Sequence, residues 1–438
     1  MNPPALPAGP LLDDATHLMA RLRRYPQLYE QVAALLDEVE NRAGALNTGD
    51  EAEDAIVERM RQFGGCALTQ WAEQRHSAVQ PARTAGLRQV GKKKLCWQTT
   101  FGLIGLTEQL WRSGTHTLRP FCAATQVKPR GCSRRLQRAL TDFGADHAFG
   151  AAVKKVQEHY GVSVPAERVR TVTRHHAHVL AAQVPPPVRT LPAHGAAFIV
   201  AEADGTMLPI VDTSAASPGT DRRKFRKVHY QEARLAAACA QGSATTHYAA
   251  TLHDVTDTGL RLAQCVRTAG WGLNSQIHGI GDGGPWIAAQ VRVQFGAQGR
   301  YTLDLYHGCD YLTAAAPDPA NAKPFVDPLR QALRASDHPS VFAALRPREE
   351  PLACPDEHAP VRAALRYLGN RTDQLDYADA LAHDLPVGSG LIESGHRHVL
   401  QARLKQAGAW WTEINAHALC QLRTLRANLQ WENYWQKN

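Results

Sequence analysis

The sequence has no uninterrupted apolar stretch as long as the roughly 20 residues that a membrane-spanning helix needs. Its nine cysteines are an odd number, are scattered, and form no Cys-x-x-Cys pair, which argues against a disulfide framework and a zinc ribbon. No basic segment followed by an apolar run stands at its start, and we find no internal repeat or low-complexity tract. From these absences we expect a cytoplasmic protein with reduced thiols and no membrane association, with 438 residues in two or three domains.

The positive charge of the chain is concentrated in one segment. Residues 1–60 contain 5 Lys and Arg against 11 Asp and Glu, residues 61–190 contain 20 against 6, and residues 191–438 contain 24 against 24. A block that basic is typical of proteins that bind a polyphosphate, because each cation that neutralises a phosphate releases a condensed counterion. A solvated basic face without a partner is the alternative explanation.

The first part of the chain predicts helices followed by a small β unit. Apolar residues recur at helical spacing within residues 11–77, and we expect helices that pack together or mediate self-association. Within residues 86–120, β-prone segments are broken by glycines, which predicts a hairpin unit that carries Lys92, Lys93 and Lys94.

Residues 133–180 predict three more helices, and Gly161 closes the second of them. A helix, a short glycine-containing turn and a second helix with several arginines favour a helix-turn-helix whose second helix enters the major groove of DNA. Any helical hairpin with arginines would produce the same pattern. Residues 184–192, VPPPVRTLP, predict an extended linker.

Beyond the linker the pattern becomes α/β. Three β-prone segments in succession, then strands that alternate with helices, are the order of an RNase H-like sheet. We expect two short strands around Asp204, a strand that ends at Asp282, and a further strand through Asp304. A mostly helical insertion follows, and a last helix begins after the glycine-rich segment that ends at Gly390.

The predicted fold class is therefore an α/β RNase H-like catalytic domain with a helical insertion, preceded by a mostly helical N-terminal region that contains a helix-turn-helix. The predicted boundaries are 1–80 for the N-terminal helices, 81–183 for the basic DNA-binding region, 184–192 for the linker, 193–309 for the first part of the catalytic domain, 310–385 for the insertion, and 386–438 for the last catalytic helix and a helical tail.

Three acidic residues stand where a two-metal phosphoryl-transfer site needs them. Asp204 ends a strongly apolar segment, Asp282 ends a second strand among glycines, and Glu393 lies in the first turn of the last helix. Hard cations prefer oxygen ligands, and shared carboxylates can hold two ions about 3.5 to 4 Å apart. We predict that these three residues are catalytic and bind two Mg²⁺ or Mn²⁺ ions. Taken singly, each Asp could be a turn former and Glu393 a helix-dipole residue.

Other residues compete for roles at this site. Asp304 could also face it, and we interpret Asp304 as a polar-face or supporting residue and His307 as an assistant near the metals. His396 is a further candidate for a supporting role. Asp310 is a competing ligand, and so is Asp254, although Asp254 precedes a turn.

Basic residues of several segments are candidate DNA contacts, because cationic side chains position a protein on the phosphate backbone. The segment 221–230 also has aromatic residues that suit base stacking. Trp410 and Trp411 favour core positions over stacking on an unpaired base. The candidate DNA contacts are Lys92, Lys93, Lys94, Arg134, Arg135, Arg168, Arg170, Arg174, Arg222, Arg223, Lys224, Arg397, Arg403 and Lys405.

Six stretches resemble motifs of one family: GKKKLCWQTTFG, RGCSRRLQRALTDFGAD, EADGTMLP, GIGDGGPWI, DLYHGCDYL and VGSGLIESGHRHVLQARLKQAGAWW. They are similar to the ISKra-type insertion-sequence transposases of the DDE superfamily. The resemblance implies an RNase H-like domain interrupted by a helical insertion, an upstream helix-turn-helix that binds the ends of the element, and the triad Asp204, Asp282 and Glu393. The sequence departs from relatives that carry a zinc-ribbon-like cysteine cluster near the start, which leaves the role of residues 60–90 open.

Together these inferences predict a nucleoid-associated transposase that binds double-stranded DNA, both terminal inverted repeats and target, through residues 90–180. It would assemble as a homo-oligomer on DNA and use two metal ions for hydrolysis and strand transfer. Two alternatives stay open: a catalytically silent DNA-binding regulator derived from a transposase, and a metal-dependent nuclease that cuts without joining.

Overall fold

The structure is a computed structural model that describes residues 11–79, 87–183, 187–188, 190–214 and 221–437, without the side chains of 11–13, 222 and 223. The chain divides into two compact units, Met1–Thr173 and Arg174–Asn438. Part of the predicted linker, residues 184–186 and 189, lies outside the described residues. None of the described helices combines the length and apolar character that crossing a membrane requires.

The first unit begins with three helices: α1 (Leu11–Leu22), α2 (Pro26–Val39) and α3 (Gly49–Ala78). Thr48 starts α3 with a capping box. Its hydroxyl accepts a hydrogen bond from the backbone N–H of Glu51, and the Glu51 carboxylate accepts one from the backbone N–H of Thr48. The expected helices are therefore present in the described part of this region.

A three-stranded antiparallel sheet follows, with β1 (Arg88–Thr99), β2 (Gly102–Ser113) and β3 (His116–Leu118) in that order. It includes the predicted hairpin. Leu95 of β1 and Ile104 of β2 are buried against Phe121 of the short helix α4 (Pro120–Thr125). The exposed half of β1 carries the predicted run of lysines.

Three helices complete the unit: α5 (Arg134–Asp146), α6 (Phe149–Tyr160) and α7 (Ala166–Ala181). Ser133 caps α5 by accepting a hydrogen bond from the N–H of Leu136. Gly161 ends α6 in the left-handed conformation, with φ of 64°, which glycine adopts without a steric penalty. Leu140, Val156 and Val169 belong to the small core that joins these helices. The boundary between the two units falls within α7.

The second unit is built on a mixed five-stranded sheet with the order β6-β5-β4-β7-β8. The strands are β4 (Phe198–Asp212), β5 (Lys227–Ala240), β6 (His247–Thr251), β7 (Gln276–Gly281) and β8 (Gly299–Leu303). The first three are antiparallel to one another, and β7 and β8 run parallel to β4. Helices α8 (Val255–Thr268) and α9 (Pro285–Phe295) precede β7 and β8. The predicted alternation of strands and helices after β6 is present.

One long strand replaces the two short strands expected around Asp204, and that expectation was wrong. Two residues that usually interrupt strands are accommodated here. A Cβ on Gly205 would lie 1.9 Å from a carboxylate oxygen of Glu232, so the missing side chain makes room for a neighbour on β5. Pro209 has no backbone N–H to donate. It lies beyond Glu202, the last residue of β4 that pairs with β7, so the missing N–H removes no hydrogen bond to β7.

Helices cover both faces of the sheet. Ile199 and Ala201 of β4 pack with α8 and α9, and Val200 packs on the opposite face with the helices that follow β8. Those helices are α10 (Leu305–Ala314), α11 (Lys323–Arg334), α12 (His338–Leu345), α13 (Pro360–Gly369) and α14 (Tyr377–Ala382). They form the mostly helical segment that the sequence predicts between the sheet and the last catalytic helix.

The last predicted helix begins at Gly390, one residue before the expected start. It consists of α15 (Gly390–Gly395), a π-helical turn (His396–Gln401) and α16 (Ala402–Leu404), which follow one another without a break. We call this element the Glu393 helix. Helices α17 (Glu413–Ala427) and α18 (Trp431–Lys437) form the C-terminal tail.

Candidate active site

Two predicted ligands lie at the same level of the sheet. The parallel pairing of β4 with β7 runs as far as Glu202 and Ile280, and Asp204 and Asp282 each follow two residues later. Because residues two apart along a strand project from the same face, this register places Asp204 and Asp282 on neighbouring strands and on the face covered by the helical segment.

Asp304 follows the end of the next strand along. The pairing of β7 with β8 ends at Gly281 and Leu303, so Asp282 and Asp304 each stand one residue beyond it. The backbone N–H of Asp304 still donates to the carbonyl oxygen of Gly281, at 2.8 Å. Asp282 and Asp304 therefore follow the ends of β7 and β8, and Asp204 lies within β4, two residues beyond the end of its pairing with β7.

The carboxylates of Asp204 and Asp282 are accessible. The Asp204 side chain is 37% exposed, and its Oδ1 accepts a hydrogen bond from the N–H of Gly205 at 2.6 Å. Asp282 is exposed, and its Oδ1 accepts one from the N–H of Gly284 at 2.9 Å. The Tyr367 hydroxyl, from α13, donates to the backbone carbonyl of Asp282 at 2.6 Å. The helical segment thus holds the turn that presents Asp282.

Glu393 lies in the first turn of its helix and is exposed. One ligand atom each from Asp304, His307 and Glu393 lie within 4.8 Å of one another, so this group could hold a metal ion. The structure therefore brings two of the predicted supporting residues to Glu393. Within the described ranges, Asp204 and Asp282 belong to no such three-ligand group.

The Asp304 carboxylate is occupied by hydrogen bonds. Oδ1 accepts from the backbone N–H groups of Tyr306 (2.6 Å) and His307 (3.2 Å), and Oδ2 accepts from the backbone N–H and the hydroxyl of Ser389 (both 2.6 Å). A carboxylate offers about four lone-pair positions, so these donors fill them. Asp304 is the N-cap of α10 and not a residue within a strand, which corrects that part of the sequence interpretation. We infer that it positions its neighbours more than it binds metal.

Glu202 is a functional candidate that sequence reasoning missed. It is only 1% exposed, and its Oε2 accepts a hydrogen bond from the N–H of Ile392 at 2.7 Å. Burial raises the pKa of Glu202 to about 8, and the nearby carboxylates of Asp304 and Glu393 add to the increase. The available signal was an acidic residue inside an apolar strand, two positions before Asp204. Glu202 ties the start of the Glu393 helix to the central strand.

Two further contacts hold the segment that leads into the Glu393 helix. His278 of β7 has Nε2 2.8 Å from the carbonyl oxygen of Pro386, so Nε2 carries the proton. The N–H of Leu305 donates to the carbonyl of Val387 at 2.9 Å. Together with the bonds to Asp304 and Glu202, these contacts fix the chain just before Glu393.

His396 lies in the π-helical turn, one helical turn after Glu393. It is buried, its Nε2 lies 3.5 Å from Oδ2 of Asp204, and neither ring nitrogen has a hydrogen-bond partner among the described residues. Buried polar atoms of this kind normally have a partner, and π-helical turns occur often at functional sites. His396 therefore lies directly beside one of the predicted metal ligands, Asp204.

Two acidic alternatives have other surroundings. Asp254 caps α8, since its Oδ1 accepts a hydrogen bond from the N–H of Asp257 at 2.9 Å. Asp310 is exposed on α10. Neither belongs to a three-ligand group in the described part of the chain.

Most predicted DNA contacts are at the surface. Arg170 forms an ion pair with Glu167, at 2.6 Å. The side chains of Arg222 and Arg223 lie outside the described ones. The exposed candidates are Lys92, Lys93, Lys94, Arg134, Arg135, Arg170, Lys224, Arg397 and Lys405, and the half-buried ones are Arg168 and Arg174.

Arg403 is an exception, and its prediction as a DNA contact was wrong. It is 1% exposed, and its guanidinium lies 4.8 Å from the ring centroid of Trp411. Trp411 is buried, as expected for a core anchor, whereas Trp410 is 40% exposed. The two adjacent tryptophans therefore have different surroundings.

No protein-family model matches the chain, and comparison with curated proteins gave no significant match. The resemblance to transposases therefore depends on the sequence motifs alone.

Proposed function

We propose that the protein is a metal-dependent DNA transposase with an RNase H-like catalytic domain, in which Asp204, Asp282 and Glu393 bind two Mg²⁺ or Mn²⁺ ions. The observation that carries the proposal is the register of β4 and β7, which sets Asp204 and Asp282 side by side at the level of the Glu393 helix. Shared carboxylates can hold two metal ions about 3.5 to 4 Å apart for phosphoryl transfer, and the resemblance implies that these three residues do so.

The sheet supports the RNase H-like part of the proposal. Its first three strands are antiparallel in succession, and the last two run parallel to the first, beside it in the order β4-β7-β8. The helical segment between β8 and the Glu393 helix also matches the insertion that the resemblance implies.

The residues present fit hard divalent cations. Asp204, Asp282 and Glu393 offer accessible oxygen atoms, which Mg²⁺ and Mn²⁺ prefer. Nδ1 of the buried His396 has no hydrogen-bond partner among the described residues, and its Nε2 lies 3.5 Å from Asp204, so a polar side chain lies beside this proposed ligand. When bound, such ions lower the pKa of an attacking water or 3′-hydroxyl and neutralise charge on the leaving oxygen.

The chain's own residues position the third ligand. Glu202 of β4, through Ile392, and Asp304, the N-cap of α10, through Ser389, hold the start of the Glu393 helix. A catalytic group must be held within a fraction of an ångström of its productive position. We assign Asp304 and Glu202 as positioning residues.

The first unit supports binding to double-stranded DNA, including terminal inverted repeats. The lysines of β1 and the arginines that open α5 are exposed, and α6, Gly161 and α7 follow the order expected of a helix-turn-helix. Cationic side chains at these places would neutralise phosphates. Assembly as a homo-oligomer on DNA is part of the same proposal, as is a place at the nucleoid.

Cleavage of DNA from the ends of the encoding element tests the proposal. Asp204→Asn, Asp282→Asn and Glu393→Gln change one charge each and keep the side-chain size. We expect wild type to nick the element end in Mg²⁺ or Mn²⁺ and each variant to lose nicking while binding the same DNA. Nicking by all three variants would overturn the site, and DNA binding without nicking by any protein would indicate a silent regulator.

A further inference from the structure

The outer half of β4 extends past the body of the sheet. Its pairing with β7 stops at Glu202, whereas its pairing with β5 continues to Asp212. The edge that β7 leaves is joined by the chain after the Glu393 helix, where the N–H of Val211 donates to the carbonyl of Trp411 at 2.7 Å. The chain that follows the Glu393 helix therefore lies beside the tip of the two-stranded ribbon that β4 and β5 form beyond Glu202.

Trp410 stands at this junction. The guanidinium of Arg226, from the segment that leads into β5, lies 3.5 Å from the ring centroid of Trp410. The indole is nevertheless 40% exposed. An indole stacked with an arginine on the surface presents a flat, cationic platform.

Most neighbouring residues on β5 and just before it are aromatic, apolar or basic, and Asp212 of β4 is an exposed acidic residue opposite Lys227. Phe225, Val228 and Tyr230 are exposed, the last by 67%. Lys224 and Lys227 are exposed as well, and no acidic residue occurs between positions 222 and 231. Exposed aromatic side chains interleaved with cations are what single-stranded nucleic acid binds, because bases stack on the rings and phosphates meet the charges.

We propose that Trp410 and Arg226, with Phe225 and Tyr230 of the ribbon, bind an unpaired DNA strand by base stacking. This inference rests on the proposed function, because the distance to the reacting phosphate is measured from Asp204 as a metal ligand. Val211 lies seven positions after Asp204 on β4, which is about 23 Å at about 3.3 Å per residue. A strand with a base spacing of about 3.4 Å covers that span in roughly seven nucleotides, and a more extended strand in fewer. The stacked base thus lies within roughly seven nucleotides of the reacting phosphate.

The test measures binding of full-length protein to fluorescently labelled oligothymidylate by anisotropy, in EDTA so that no cleavage occurs. Trp410→Ala should weaken binding roughly 5- to 150-fold, the effect of losing one base stack. Trp410→Phe, which keeps an aromatic ring, should restore most of the affinity. Trp71→Ala is the matched control, because Trp71 is 46% exposed but belongs to the first unit.

A paired duplex of mixed sequence separates stacking from charge. Trp410→Ala should leave duplex affinity within about twofold of wild type, since loss of the ring changes no charge. Unchanged oligothymidylate affinity in Trp410→Ala, or an equal loss on duplex DNA, would overturn the inference. So would tighter binding to single-stranded RNA that depends on Trp410 in the same way.

The position of the stacked base is tested with 2-aminopurine, placed in turn at each nucleotide on either side of the cleavage position of an element-end strand. Quenching that depends on Trp410 and peaks within roughly seven nucleotides supports the geometry, and a peak farther away overturns it. Because these readouts need no metal, the two proposals can fail separately. If wild type nicks the element end but shows no Trp410-dependent binding or quenching, only the stacking surface is rejected. If Trp410-dependent stacking is found but wild type does not nick, only the transposase proposal is rejected.

Discussion

The Glu393 helix contains two glycines with opposite expected responses to alanine. A Cβ on Gly395 would lie 2.8 Å from Cε1 of Tyr248 and 2.9 Å from Cδ2 of Leu235, whereas a Cβ on Gly390 would meet nothing within 4 Å. Gly395 therefore lets the helix approach β5 and β6 closely, and Gly390 only opens the helix.

The neighbours of Gly395 have little freedom to yield. Leu235 is fully buried, and the backbone of Tyr248 is held on both sides by the Asn428 amide, at 2.7 and 2.8 Å. Overpacking of a well-packed site costs about 1 to 3 kcal/mol, and alanine in place of a helical glycine recovers about 0.5 to 1 kcal/mol. We predict that Gly395→Ala lowers the free energy of unfolding by up to about 2 kcal/mol, and that Gly390→Ala raises it by up to about 1 kcal/mol.

Urea unfolding of the metal-free proteins, followed by circular dichroism, measures both changes. A nicking assay on the same preparations should show slower cleavage by Gly395→Ala, because a displaced helix displaces Glu393, and near wild-type cleavage by Gly390→Ala. Equal unfolding midpoints for the two variants would refute the packing argument. A less stable Gly395→Ala that still nicks at the wild-type rate would refute the link to Glu393.

Three further predictions concern a support of the site, a buried histidine and the metal requirement. Ser389→Ala removes a buried hydrogen bond from the hydroxyl to the Asp304 carboxylate and should lower the free energy of unfolding by about 1.5 to 3 kcal/mol. Ser394→Ala, at an exposed position of the Glu393 helix, should change it little. Equal values for the two variants would contradict the positioning role of Asp304. Burial, with help from nearby cationic and histidine side chains, lowers the pKa of His417 from 6.5 to about 4, so the unfolded chain binds a proton first and wild type should lose up to about 3 kcal/mol of stability as pH falls from 6.5 to 4. Unfolding midpoints of His417→Gln that fall just as steeply over this range would contradict this assignment. EDTA should abolish nicking but leave duplex binding intact, and nicking that persists in EDTA would exclude metal catalysis.

The sequence was sufficient where local pattern decides structure. The alternation of strands and helices after β6, the helical segment after β8 and the start of the last helix to within one residue follow from runs of apolar residues and from glycines. The long β4 was missed because Gly205 and Pro209 usually interrupt strands, and only the side chain of Glu232 on β5 explains why Gly205 does not. The end of β8 at Leu303 was missed because Asp304 caps a helix that begins inside a β-prone run.

The supporting residues of the site could not be predicted from local pattern. Glu202 bonds to Ile392, and Asp304 bonds to Ser389; each partner is distant in sequence and is brought close only by the fold. Arg403 looked like a surface cation because nothing in its neighbourhood indicated that Trp411 would cover it. Sequence patterns report local neighbours, so they do not predict which charged side chains a tertiary contact will bury or hydrogen-bond.

Strand transfer by the purified protein separates a transposase from a nuclease and from a silent DNA-binding protein. A pre-cleaved element end is incubated with supercoiled plasmid in Mg²⁺ or Mn²⁺, with wild type and with Glu393→Gln, and joined products are measured on a gel. We predict joined products with wild type and none with Glu393→Gln, although both bind the donor DNA. Joined products of equal yield from both proteins would contradict this prediction, and nicked plasmid without joining would identify a nuclease.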